Sequence, residues 1–110
     1  NRLYDTKTVE MVSGTVMSVD QTSTENNMSA GVHLLLNSGN GNVIVHLGPS
    51  WYIDNQDVVI SKDDNISVTG SKVTYKGDQI IIAKEVTKGD QILKLRDDNG
   101  YPLWSGWRNK

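Results

Sequence analysis

The sequence predicts an all-β domain, a Greek-key barrel of five to six short strands with a short helical linker between the third and fourth. Three observations carry this. Val, Ile and Thr fill short segments that Gly and Asx residues interrupt, the mark of strands joined by tight turns. Helical periodicity is almost missing. The segments also come in a telling order: a long bent strand, a hairpin, a break opened by proline, a bulged strand, then further strand.

The first strand runs through residues 8–20, where Val9, Met11, Val12, Val16, Met17 and Val19 are the apolar positions. Their parity changes around Gly14, so a bulge and a strong bend are expected there. Residues 21–30 are polar and read as a loop. GVHLLLNSGNGNVIVHLGP then gives two alternating runs around a Gly/Asn turn, which is a hairpin. A turn at Gly39-Asn40 sets His33 opposite His46; a turn at Asn40-Gly41 makes them diagonal neighbours. Either register puts both histidines on one face and Val32, Leu34, Leu36, Val43, Val45 and Leu47 on the other, assigned to the core.

After Gly48 the alternation stops. Pro49 sits where a first helical residue would, and a short helix or turn is expected across residues 49–56. NISVTGSKVTY resumes strand character with a bulge at Gly70. Two further strands carry an internal echo, KGDQI at 76–80 and again at 88–92. The echo is too short for a solenoid and reads as one turn chemistry used twice, with Gly77 and Gly89 at positive φ. This order is that of an OB-like barrel, with a small β-sandwich as competitor.

At 110 residues the chain is long enough for a single domain, here residues 1–110, with 1–7 as an N-terminal extension and 101–110 as an aromatic tail packed on the barrel. A net charge of -2 gives no general attraction to phosphate backbones. The eleven basic residues are spread along the chain among thirteen acidic ones, which argues against a nucleic-acid groove. With no cysteine there is no disulfide and no thiolate chemistry. No apolar run approaches the roughly 20 residues of a membrane helix. The first residue is Asn1 rather than Met, which fits a removed export signal and a shortened chain equally.

Nucleophile-elbow, zinc-protease and phosphate-loop motifs are all missing, so no enzyme and no cofactor are expected. Asp63-Asp64 and Asp97-Asp98 lack the calcium-loop spacing and read as turn formers. His33 and His46 offer two imidazoles on adjacent strands, but two ligands are not a site, and no metal is assigned. Aromatic residues cluster twice, at Trp51-Tyr52 and at Tyr101, Trp104 and Trp107. The first use for tryptophan near a chain end is bulk, so Leu103 and Trp104 are expected to pack onto the barrel, with Trp104 the more buried of the last two tryptophans. Candidate ligand or partner contacts are His33, His46, Trp51, Tyr52, Trp107 and Arg108.

The segments HLGPSWYI (46–53), ISVTGSKV (66–73), IIIAKEV (80–86) and LRDDNGYPLWSGW (95–107) together resemble a small domain shared by magnetosome-associated proteins and by uncharacterised exported bacterial proteins. The strand order is also similar, more loosely, to that of bacterial periplasmic OB-fold proteins. The resemblance implies an OB-like barrel, a periplasmic or secreted location after signal cleavage, and no established catalysis. Some members carry a haem-binding Cys-x-x-Cys-His motif, which a chain without cysteine does not share. The expected function is a noncatalytic binding or scaffold domain of the bacterial cell envelope, with an unknown protein or small-ligand partner. A single-stranded nucleic-acid-binding OB domain is the alternative, and a metal-binding accessory protein the second alternative.

Overall fold

The computed structural model describes residues 4–22 and 31–105. Six strands, β1 (Val9–Thr22), β2 (Gly31–Asn37), β3 (Asn42–Pro49), β4 (Asn65–Tyr75), β5 (Asp78–Lys88) and β6 (Gln91–Lys94), are joined by one short helix, α1 (Ser50–Ile53), between β3 and β4. The sheet order is β3-β2-β1-β4-β5-β6, and β3 also pairs with β5. That last pairing closes β1 to β5 into an OB-like barrel and leaves β6 as an addition on the edge of β5.

Closure depends on the length of β1. Its first half, Val9 to Thr15, pairs antiparallel with β4, and its second half, Thr15 to Thr22, pairs with β2. Gly14 lies at the handover, where a side chain would run into the Asn37 carbonyl. The bulge expected at Gly14 falls slightly later, between Val16 and Ser18. Glycine here permits the close crossing, and the extra residue that shifts the face is Met17. The irregularity expected at Gly70 falls on the partner strand: Thr69 pairs with Glu85 and Gly70 with Ala83, so the extra residue is Lys84 of β5 and Gly70 stands opposite the bulge.

The β2–β3 hairpin has the register in which His33 faces His46 and Leu34 faces Val45. Positive φ occurs at Gly39 and not at Asn40, as a turn centred on Gly39-Asn40 requires. Alternation places Val32, Leu34, Leu36, Val45 and Leu47 in the core, with Val43 packed against it. The seam between β3 and β5 is parallel and short: Ile44, Val45 and His46 pair with Ile80, Ile81 and Ile82. Because β5 has a strand on either side, Ile80 to Ala83 are buried without alternation.

The two KGDQI copies fold differently. Tyr75 pairs with Asp78 across a Lys76-Gly77 turn in which both residues have positive φ, whereas Lys88 pairs with Gln91 across a Gly89-Asp90 turn in which only Gly89 does. The same letters are thus read one register apart. Residues 54–64 return under the barrel: Val16 N–H donates to Asp64 O and Asp63 N–H to Val16 O, both at 2.8 Å. The Asp64 carboxylate accepts from Ser61 N–H at 2.7 Å and pairs with Lys88 at 2.9 Å.

Candidate functional site

Two clusters of chemically rich side chains stand on this frame. The first lies outside the barrel on β2 and β3. Since Leu34 and Val45 point inward, the directly opposed His33 and His46 point outward on one face. Their ring centroids are 5.6 Å apart with planes inclined by 35°. Tyr75, at the end of β4, meets His46 edge-on at 5.8 Å, and Lys76 lies 5.3 Å above the Tyr75 ring. Across β1, Asp20 is the register partner of His33, and its carboxylate accepts from the Ser18 hydroxyl at 3.1 Å. One transverse row therefore reads Asp20, His33, His46. Burial foremost, then the neighbouring His33 and Arg96, holds the His46 imidazole below its ordinary 6.5. A neutral ring at pH 7 keeps a lone pair available for a proton or a ligand.

The second cluster gathers the C-terminal motif. Leu95 enters the core, and the next residue, Arg96, lies half-buried across the mouth of the seam. Its Nη1 donates to the carbonyls of Leu47 on β3 and Ala83 on β5, the residues just past the last β3–β5 pair. The guanidinium thus continues the seam by one rung after the backbones part. Burial lowers its pKa to about 10, which leaves it protonated at neutral pH. Asp97 folds the following turn, its Oδ1 accepting from Asn99 and Tyr101 N–H. The chain then doubles back, Leu103 N–H donating to Leu95 O at 3.0 Å. Trp104 lands on Arg96, 5.0 Å from guanidinium carbon to ring, and on Tyr52 at 5.2 Å between centroids. It also packs against Gly48, where a Cβ would come within 2.7 Å of the indole.

These positions sort the sequence candidates. His33 and His46 come together as expected. Tyr52 is only 5% exposed, caps the core from α1, and donates its hydroxyl to Lys94 O at 3.3 Å. Trp51 stands beside it, half-buried, with the rings edge-on at 6.2 Å. Trp107 and Arg108 lie outside the described residues. Trp104 packs on the core as expected. Leu103 does not: it is 40% exposed, because the hydrogen bond to Leu95 that turns Trp104 inward turns its neighbour out. Tyr75 was missed, since an aromatic at a strand end reads as ordinary strand. Arg96 was missed too, since one arginine in a polar turn carries no pattern. A cleft of about 590 Å³ lies apart from both clusters, lined by Met11, Val12, Val43, Ile80 and the Glu10–Lys72 pair among others. Among the described residues, no group of three or more His, Cys, Asp or Glu is placed to hold a metal ion.

With this geometry in hand, the chain matches the model of the MamS/MamX magnetosome protein family over residues 8–93. It belongs to that family. The match spans the barrel from the 3₁₀ turn at Thr6–Thr8 to β6, and the Arg96–Trp104 motif lies beyond it. No curated protein is significantly similar to the chain. No helix among the described residues is long and apolar enough to cross a membrane. Family membership supports a noncatalytic accessory role.

Proposed function

We propose that this MamS/MamX-family chain is a noncatalytic binding module of the bacterial cell envelope, presenting the outer face of β2 and β3 to a protein partner. The observation that carries this reading is the half-exposed row of His33, His46 and Tyr75 on the face where OB-like barrels take their ligands. The face is built from strand side chains, and a patch of imidazole and phenol, apolar in body and polar at the tip, suits a protein surface. Trp51, half-buried beside Tyr52, is the further candidate contact among the described residues. Export to the periplasm is part of this reading, as the family resemblance implies.

The test is pairwise binding of the purified chain to magnetosome proteins produced singly. At least one should bind, and His33→Ala or Tyr75→Ala should weaken it by roughly tenfold or more, the signature of a contact hot spot. Lys62→Ala, on an exposed turn, should leave binding unchanged. Indifference of all binding to the His33–Tyr75 face would overturn the proposal. So would tight binding to single-stranded oligonucleotides that falls steeply with salt, which marks the nucleic-acid alternative.

A further inference from the structure

We propose that His33 and His46 form a two-histidine site for a borderline-soft divalent transition ion, Zn²⁺, Cu²⁺ or Ni²⁺, whose remaining coordination positions stay open to water or to a donor from a partner. The assignment rests on the β2–β3 face being the working surface, but its test uses the metal alone, so either can fail without the other.

Geometry is the first argument. Two imidazoles sharing one tetrahedral ion through metal–nitrogen bonds of about 2.0–2.1 Å bring their ring centroids about 5 Å apart. The rings here stand 5.6 Å apart before any ion is present, so small side-chain rotations complete the site. Direct cross-strand register fixes this spacing. His33 and His46 are Cα partners in adjacent strands whose opposite sides are locked in the core by Leu34, Val45 and Leu47. Neither strand can slip without exposing that core face. The chelate is therefore organised before binding, which lowers the entropy lost on capture.

Charge decides the class of ion. Arg96 is near enough to His46 to act on its charge, and it disfavours any cation held by charge alone. Asp20, in register with His33, opposes that field from the other end of the row. A hard ion such as Mg²⁺ or Ca²⁺, which needs six or more oxygens, finds no such set here. Ions that form strong bonds to imidazole nitrogen do not depend on the net field in the same way. Tyr75, edge-on to His46, shields one side of the pair. With two protein ligands, the ion keeps vacant positions, and a partner's histidine or carboxylate reaching this face would be held through it.

The experiment uses the full chain, free of affinity histidines and treated with EDTA, titrated with ZnCl₂, CuCl₂ or NiCl₂ by calorimetry and thermal melts. At least one ion at sub-millimolar concentration should raise Tm, with stabilisation growing as the logarithm of metal concentration. MgCl₂ and CaCl₂ should not. His33→Gln and His46→Gln should each weaken binding at least about tenfold, no less than the loss of a supporting partner costs in metal sites. Should His46→Gln fail to fold, judged by circular dichroism, His33→Gln decides the matter. No heat and no Tm change with any of the three ions overturns the assignment, as does binding that survives both substitutions.

Discussion

At the scale of the residue, Arg96 explains why the chain carries a tryptophan so near its end. A half-buried guanidinium needs acceptors and a favourable surface, and Arg96 has two carbonyls from opposite sides of the seam and one indole face. Cation–π contact of this kind is worth about 0.5–2 kcal/mol according to desolvation. Trp104→Ala should destabilise by about 3 kcal/mol, the low end of the range for buried aromatics because the ring is partly exposed. Arg96→Lys should cost about 1.5–3 kcal/mol, since an ammonium cannot span two carbonyls and stack at once. Urea unfolding of the single and double variants forms a cycle in which the two losses should fall short of additive by about 0.5 kcal/mol or more. Strict additivity would mean that Trp104 packs on Tyr52 and Gly48 without shielding Arg96. The packing of Trp104 was legible in the sequence, but its partner Arg96 and the seam that Arg96 bridges were not. LRDDNG reads as a polar turn, and the seam it completes joins residues that local pattern does not connect. The opposed histidines were legible, because alternation and a Gly39-Asn40 turn fix both face and register.

At the scale of the element, the repeated KGDQI shows where pattern reading reaches its limit. Both copies were read as one turn, and both glycines do take positive φ. The difference lies in the lysine. Lys76 is inside its turn at φ 52, a conformation that costs an L-residue with a long side chain, whereas Lys88 is in β5 and donates to Val59 O at 2.6 Å while pairing with Asp64. The same substitution should therefore have opposite signs. Lys76→Asn creates an Asn-Gly turn and should raise stability by a few tenths to about 1 kcal/mol. Lys88→Asn removes the tie between β5 and residues 59–64 and should lower it. Denaturant midpoints decide; equal effects would mean that the two turns share a register after all. Tertiary pairing chooses the register here: Tyr75 pairs with Asp78 and Ile80 pairs with Ile44 of β3, while Lys88 reaches the linker. Propensity alone cannot make that choice. The parallel β3–β5 seam was hidden for the same reason: the run of Ile80 to Ile82 announces a strand buried on both sides without naming its neighbours.

At the scale of the whole molecule, the barrel is held shut by two fastenings of different chemistry. Arg96 bridges the seam and keeps its charge at any pH below about 10. At the other fastening, residues 61–64 are bonded to β1 through Val16 and to β5 through Lys88, with the Asp64 carboxylate at the junction. The hydrogen bond from Lys88, then that from Ser61, hold Asp64 below its ordinary 3.8. A carboxyl with a folded-state pKa below its unfolded value binds fewer protons when folded, so stability rises with pH across that interval. Its contribution is complete above about pH 4 and disappears as pH falls through the folded value. Asp64→Asn should accordingly be less stable than the parent chain at pH 7, and the gap should close progressively below pH 4 as the parent loses the same charge. Urea midpoints of both proteins between pH 2.5 and 7 provide the measurement. A gap independent of pH would assign the fastening to the backbone bonds of Val16 alone, and a gap that widens in acid would reverse the sign of the linkage. Arg96→Lys should show no such convergence, because nothing in its bridge titrates over that interval. The two fastenings are thereby separable in one titration: acid loosens the linker side of the barrel while the seam beside His33 and His46 stays closed.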